Sequence, residues 1–133
     1  MEINDFVGIP FVDGGRDMKG ADCWGICELF YSRYLNRELP SYKIGAFNYD
    51  EISDTMTTEI KTPRWVILDK PEPYCIALMK LGQTNVTVNH AGVILPHNKL
   101  LQAYLGTGSI IVDYTSQLWK RIIKFYIKPA TDE

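Results

Sequence analysis

The feature that most constrains the fold is a change in the spacing of apolar residues near Pro73. Before it, apolar residues recur at helical spacing from Cys23 to Arg37, and a weaker helical pattern spans residues 49–61. After it, short apolar runs bounded by turn residues predict strands at 74–81, 86–95, 99–104, 109–114 and 121–127. Helices followed by strands predict an α+β fold, with N-terminal helices packed on a roughly five-stranded antiparallel sheet.

Length and charge narrow the classes of protein that fit. A chain of 133 residues without a linker or repeat predicts a single domain over residues 1–133. The net charge of -2 argues against nucleic-acid binding, and Lys120, Arg121, Lys124 and Lys128 are expected on a solvated strand face. The sequence has no run of about 18 apolar residues, so membrane insertion is not expected. The start of the chain lacks a signal peptide, so synthesis in the cytoplasm is expected.

The three cysteines do not predict a disulfide scaffold or a metal site. Cys23, Cys27 and Cys75 are an odd number, and together with the two histidines they show no paired metal-ligand spacing. Neither a metal nor another cofactor is therefore expected. Cys27 and Cys75 lie on apolar faces, where a cysteine serves as a small buried hydrophobic residue.

Cys23 differs because it stands where the first helix begins. Asp22 is a good N-cap, and the free N–H groups and dipole of a helix start favour a thiolate at the next position. Gly25 in the first turn costs about 1 kcal/mol relative to alanine, which indicates a close approach to the backbone. These facts leave two interpretations of Cys23 open, a reactive nucleophile and a buried core residue.

A nucleophilic cysteine needs a base and a group that orients the base. His90 is the candidate base in the middle of a predicted strand, whereas His97 lies in the turn 96–98 and is expected to be exposed and uninvolved. Gln102 on the next strand is the candidate orienting residue. His90 and Gln102 share a face only if the turn between their strands has an odd number of residues or a bulge. The three residues then form an acyl-transfer site.

The sequence shows a series of motifs that runs over nearly the whole chain: Pro10-Phe11, Gly14-Gly15, Gly20, Asp22-Cys23-Trp24-Gly25, Asn89 to Ile94 and Leu101-Gln102-Ala103. In order and spacing this series resembles the NlpC-type cysteine peptidases, which are papain-like cell-wall hydrolases. The resemblance implies a reduced papain-like fold and cleavage of peptidoglycan stem peptides. It also implies that Cys23 is the nucleophile, His90 the base and Gln102 the third polar residue.

The N-terminal motifs Gly8-Ile9-Pro10-Phe11 and Gly14-Gly15-Arg16-Asp17 resemble in particular the branch of this family found in bacteriophage tail assembly. That resemblance implies a place at the tail tip of a virion and other tail-tip proteins as partners. It also accounts for a cell-wall enzyme that carries no signal peptide.

Three further residues are candidates for substrate binding, and one departure bears on the chemistry. Asp22, Trp24 and Arg16 are the candidates, although Arg16 also fits a structural tie and Trp24 also fits a packing role. Phe11 stands where the family often has a tyrosine that helps to form the oxyanion hole. Backbone N–H groups near Cys23 are expected to take over that role.

The sequence thus predicts a cysteine endopeptidase of peptidoglycan stem peptides at a phage tail tip. One alternative is a structural or assembly component of the tail tip with an idle hydrolase site, which Phe11 and the neutral Gln102 favour. The other alternative is a cysteine amidase or acyltransferase that acts on another acyl substrate.

Overall fold

We describe the protein from a computed structural model, which covers residues 1–42 and 44–130; residues 43 and 131–133 of the predicted single domain lie outside this description. A 3-10 helix (Ile3–Phe6) precedes the first short strands and two helices. The other elements form a six-stranded sheet with a short helix before its last strand. The bounds are β1 Arg16–Asp17, β2 Gly20–Ala21, α1 Cys23–Arg33, α2 Tyr49–Glu59, β3 Trp65–Leu68, β4 Ile76–Met79, β5 His90–Leu95, β6 Lys99–Tyr104, β7 Gly108–Asp113, α3 Gln117–Ile122 and β8 Ile123–Pro129.

The six-stranded sheet has the order β3-β8-β4-β5-β6-β7, and all its neighbouring strands are antiparallel. The predicted α+β class, with helices packed on an antiparallel sheet, is therefore confirmed. The sheet gains a strand that the sequence did not predict, because β3 (Trp65–Leu68) pairs with β8 at the edge. Its four residues are too few to show a clear alternation of apolar and polar positions.

Helix α1 is the central element on one face of the sheet. Asp22 caps its first turn, since the carboxylate accepts a hydrogen bond from the Gly25 N–H at 2.8 Å. The helix ends at Arg33, four residues earlier than the spacing predicted, and Asn36 then takes a left-handed conformation (φ 54°). Phe30 is fully buried and packs between Phe6 and Tyr34, with ring centroids 5.2 and 4.8 Å away.

Helix α2 begins at Tyr49, where its apolar spacing predicted, and ends at Glu59, two residues before the predicted end. Asn48 is its N-cap, and the side chain accepts from the Glu51 N–H at 3.3 Å. Ser53 is buried on the inner face of the helix, where its hydroxyl accepts from the N–H groups of Thr87 and Val88. This contact ties α2 to the segment that leads into β5.

The C-terminal basic residues are divided between two elements. Lys120 and Arg121 belong to α3, so their predicted place on a strand face is wrong, whereas Lys124 and Lys128 lie on β8. A short helix here was hidden because its six residues cover fewer than two turns and merge with the apolar pattern of β8. Lys120, Arg121 and Lys124 are exposed.

The N-terminal segment is held against the sheet by one serine. The Ser109 hydroxyl on β7 donates to the Phe6 carbonyl at 2.6 Å and accepts from the Ile9 N–H at 2.8 Å. The Ser109 N–H in turn donates to the Ile9 carbonyl. Because Ser109 is buried, these bonds are shielded from water and fix the path of the chain toward Phe11.

The turn between β5 and β6 sets which side chains share a face. Leu95 pairs with Lys99, which leaves Pro96, His97 and Asn98 as the loop. The loop residues His97 and Asn98 both adopt positive φ, at 65° and 62°. The loop thus has the odd number of residues that the sequence required for His90 and Gln102 to lie on one face.

Candidate active site

Cys23 is the first residue of α1 and lines a cavity of about 290 Å³ between the helix start and the sheet. It is partly exposed, while Cys27 and Cys75 are buried, and all three thiols are free. Cys27 and Cys75 therefore have the buried positions that their apolar faces predicted. Cys23 alone among the cysteines lines this cavity.

Asp22 and Arg16 hold the helix start in place. Their side chains form an ion pair with each other and do not face the cavity. The Arg16 Nη1 donates to Asp22 Oδ1 at 2.6 Å, and Nε lies 2.7 Å from Glu28 Oε2. The second oxygen of Asp22 accepts from the Gly14 N–H at 2.9 Å. Neither Asp22 nor Arg16 lines the cavity that holds Cys23. Their geometry is that of the structural tie considered for Arg16.

The surroundings of Gly25 explain why glycine, a poor helix former, stands in the first turn of α1. A Cβ atom at this position would lie 2.1 Å from the Gly15 carbonyl oxygen and 3.2 Å from the Ala21 Cβ. The loop that carries Gly14 and Arg16 therefore touches the helix backbone directly. The close approach expected from the sequence is present, and the group that approaches is this loop.

His90 and Gln102 contact each other on one face of the sheet. The Nε2 atom of His90 lies 3.0 Å from Oε1 of Gln102, and both residues are buried. A carbonyl oxygen accepts only, so Nε2 carries the proton and Nδ1 keeps its lone pair. His90 is the first residue of β5, not the middle of a strand as predicted, because residues 81–89 form a loop rather than an extension of the strand.

Two hydrogen bonds close that loop directly before His90. The side-chain amide of Asn89 donates through Nδ2 to the Leu81 carbonyl at 2.9 Å and accepts through Oδ1 from the Leu81 N–H at 2.8 Å. The side chain thus pairs with the backbone as a strand would, and it fixes the point where β5 begins. Asn89 also lines the cavity beside His90.

Tyr104 is a part of the site that the sequence did not reveal. Its ring lies parallel to the His90 imidazole, with centroids 5.0 Å apart and an angle of 6° between the planes. Tyr104 stands two positions after Gln102 on β6 and so shares its face, which is the signal that could have found it. In the described part of the chain, the Gln102 Nε2 atom has no hydrogen-bond partner.

The remaining predicted residues lie away from the cavity. Trp24 is 4% exposed, and its indole N–H donates to the Pro40 carbonyl at 2.9 Å while its ring packs on Tyr42 and Trp65. Its position is that of a core residue. His97 is exposed in the β5–β6 turn. Within residues 1–42 and 44–130, no group of three His, Cys, Asp or Glu side chains is arranged to hold a metal ion.

The charge state of Cys23 differs from the thiolate that the helix start predicted. Burial of the sulfur, reinforced by the Asp22 carboxylate, raises the pKa of Cys23 to about 11. The backbone N–H groups of Ala91 and Trp24 and the charge of Arg16 lower it, but by less. The helix-start effect is present but smaller than the cost of placing a charge there.

The pKa of the His90 imidazole is shifted in the opposite direction. Burial lowers the pKa of His90 to about 4, and the hydrogen bond to Gln102 opposes this only in part. At neutral pH the site therefore contains a neutral thiol and a neutral imidazole. A neutral imidazole with a free Nδ1 lone pair can accept a proton from a thiol, which is the requirement for general-base catalysis.

A cysteine at the start of a helix that packs on an antiparallel sheet, with histidine on one strand and a polar residue on the next, defines the papain-like class of fold. No protein-family model and no curated protein matches this sequence. Solved structures do match it.

The first is the NlpC/p60 domain of the peptidoglycan hydrolase SagA, with a TM-score of 0.59, 14% identity, and coverage of 92% of this chain and 89% of that one. The second is a lipoprotein-like protein of the NLP/P60 family from Staphylococcus aureus subsp. aureus Mu50, with a TM-score of 0.62 and 16% identity. The match covers 97% of this chain and 39% of the staphylococcal one. The fold of this chain is therefore that of NlpC/p60 domains.

Proposed function

We propose that this protein is a cysteine peptidase that cleaves the stem peptides of peptidoglycan. The observation that carries the proposal is the 3.0 Å bond between His90 Nε2 and Gln102 Oε1, in a site where Cys23 and His90 line the same cavity. That bond leaves Nδ1 of His90 as the free base. The substrate class rests on the fold, because the SagA domain that shares it is named as part of a peptidoglycan hydrolase.

In the proposed reaction, Nδ1 of His90 takes the proton of the Cys23 thiol while Sγ attacks the carbonyl carbon of the scissile amide. The tetrahedral intermediate collapses to a thioester, and the imidazolium gives its proton to the leaving amine. Water then attacks the thioester with His90 again as the base, which releases the acid product and restores the thiol. Because the thiol is neutral at rest, proton transfer accompanies the attack rather than preceding it.

The negative oxygen of the intermediate needs donors, and Phe11 in the cavity wall supplies none. Cys23 and Trp24 are the first two residues of α1, so their N–H groups have no acceptor within the helix. We assign the oxyanion hole to this first turn. Donors held rigidly by the Asp22 cap do not have to reorganise during the reaction.

The experiment is digestion of purified murein, with the released fragments identified by mass. The parent chain is expected to release peptide fragments, and Cys23→Ala is expected to lose cleavage by several orders of magnitude. His90→Ala is expected to lose cleavage as well, because it removes the proposed base, and His97→Ala is its matched control because His97 is exposed in a turn. Absence of cleavage by the folded parent would overturn the proposal. Fragments cut at a sugar–peptide amide would instead indicate the amidase alternative.

A second function, an assembly role with an idle site, is favoured by two observations. The pKa of Cys23 is raised, and Phe11 replaces a hydrogen-bond donor at the cavity.

We further propose that the chain is a component of a phage tail tip. This proposal rests on the N-terminal motifs of the sequence. Detection of the chain in purified, washed phage particles tests that location. Its presence only in the lysate would contradict it.

A further inference from the structure

The wall of the cavity around Cys23 is apolar and aromatic. The side chains that line it belong to Phe11, Cys23, Ala46, Phe47, Tyr49, Leu81, Asn89, His90, Ala103, Tyr104 and Leu105. Within the described residues, no Lys, Arg, Asp or Glu side chain is among them. Arg16 and Asp22, whose charges act on Cys23, bind each other and do not line this cavity.

Three apolar side chains of the wall are exposed to solvent at its rim. Phe47 is 53% exposed, Tyr49 is 40% exposed and Leu105 is 67% exposed. Phe47 also packs near Phe11, another residue of the wall, with ring centroids 6.3 Å apart. Exposed apolar surface concentrated around a concave site marks a region that a ligand covers.

This surface discriminates between ligands by charge. A carboxylate or ammonium group that entered the cavity would lose water and gain no opposite charge among the lining residues, which costs far more than burying an apolar side chain. We propose, on the basis of the proposed hydrolase function, that the peptide segment flanking the scissile bond carries no charge inside this cavity. A stem peptide fits this requirement where its carboxylates are amidated or lie outside the cavity.

The test measures binding separately from turnover. Peptides identical except for the two residues flanking the scissile bond, both Leu, both Gln or both Glu, are prepared with L- and with D-residues at these positions. Their dissociation constants for the Cys23→Ala chain are measured by calorimetry. Of the two Leu peptides, L and D, one will bind more tightly. We expect that peptide to bind at least about 100-fold more tightly than the Glu peptide of the same configuration, with the Gln peptide between them.

A charge introduced at the rim sharpens the result. Leu105→Lys in the same chain is expected to weaken the Leu peptide and to strengthen the Glu peptide, each by about tenfold, because it places a cation in the wall. Leu118→Lys is the matched control, since Leu118 is 62% exposed but lies in α3 outside the cavity. It should leave both constants unchanged.

The outcomes separate this inference from the proposed function. Equal or tighter binding of the Glu peptide, or no binding of any peptide, would overturn the inference whatever the parent chain does to murein. The predicted order of affinities supports it, even if the parent chain fails to cleave murein. In that case the hydrolase proposal fails while the specificity of the cavity stands.

Discussion

At the scale of single residues, the site depends on two opposite pKa shifts with one cause. Burial disfavours the charged form of each group, so it raises the pKa of Cys23 and lowers that of His90. The resting pair is neutral, and a peptide carbonyl can enter without meeting a separated ion pair. This arrangement resembles the serine–histidine type of activation more than a preformed thiolate.

The raised pKa of Cys23 predicts how the thiol reacts with an alkylating reagent. The rate of labelling should rise about tenfold per pH unit from pH 7 and level off near pH 11, because the thiolate is the reacting form. Cys23 should be labelled ahead of Cys27 and Cys75, which are buried. Peptide mapping after timed labelling measures both. A rate already constant below pH 7 would show a preformed thiolate.

The lowered pKa of His90 predicts the acid limit of activity. With the base protonated below about pH 4, kcat/KM should fall there and not near pH 6.5. Gln102→Glu places a carboxylate against the Nε2 proton, and it should move this limit upward by about 1–3 pH units. Leu118→Glu adds the same charge far from the cavity and should not move it. If the acid limit does not move in Gln102→Glu, residue 102 does not act on the pKa of His90.

The same shift predicts a dependence of stability on pH. The pKa of His90 is about 4 in the folded chain and 6.5 in the unfolded chain, so the unfolded state binds more protons between these values. Its contribution, about 3 kcal/mol, is fully present above pH 6.5 and is lost as pH falls to 4. Urea unfolding across this range measures the slope. His90→Gln should remove it and His97→Gln should retain it; an equal slope in both would contradict the assignment.

At the scale of secondary structure, the loop over Gly25 holds the start of helix α1 in place. Gly25→Ala would raise helix propensity by about 1 kcal/mol but would press a methyl group against the Gly15 carbonyl. The expected result is a net loss of about 1–3 kcal/mol in the free energy of unfolding. Gly45→Ala is the control, because a Cβ there meets only an Asp13 oxygen at 3.9 Å. A more stable Gly25→Ala chain would contradict the close contact.

The sequence predicted most elements because their signals are local. The Asp22 cap, the helical spacing of α1 and the alternation of turn residues with apolar runs are all readable within about ten residues. Strand β3 and helix α3 were missed because each is short and gains its definition from pairing or packing with β8. The start of β5 at His90 depends on the clamp of Asn89 on Leu81, which spans a loop.

The candidate site could be predicted in its residue types and their order, but not in its electrostatics. Cys23, His90 and Gln102 follow from residue type and order, and the odd turn that aligns the last two was foreseen as a condition. The stacking of Tyr104 on His90 and both pKa shifts arise from burial in the folded chain. Burial depends on every element that surrounds a residue, so no short stretch of sequence encodes it.

At the scale of the whole molecule, the sheet separates two apolar clusters, and the candidate site draws residues from both sides. The main core lies between α1 and the sheet, whereas Met79 and Leu100 belong to a second apolar cluster on the other face. Cys23 stands at the start of α1, but His90 and Gln102 share the face of the second cluster, because His90 pairs with Met79 and side chains alternate along β6. Substitutions in the second cluster should therefore affect the position of the candidate base as well as stability.

If the chain is a tail-tip component, as proposed, the intact particle distinguishes an enzyme from an assembly component. Cys23→Ala removes one sulfur atom from a partly exposed position and leaves the Asp22 cap untouched, so the chain should fold and enter particles as the parent does. If cleavage of the wall is required for entry, such phage should infect cells poorly while still adsorbing to them. Asp22→Ala is the contrasting variant, since it breaks the cap and removes one of the two carboxylates that hold Arg16, so it should destabilise the fold and lower the yield of particles. Full infectivity of Cys23→Ala phage through an intact wall would contradict an essential enzymatic role, and a normal yield with Asp22→Ala would contradict the structural role of this tie.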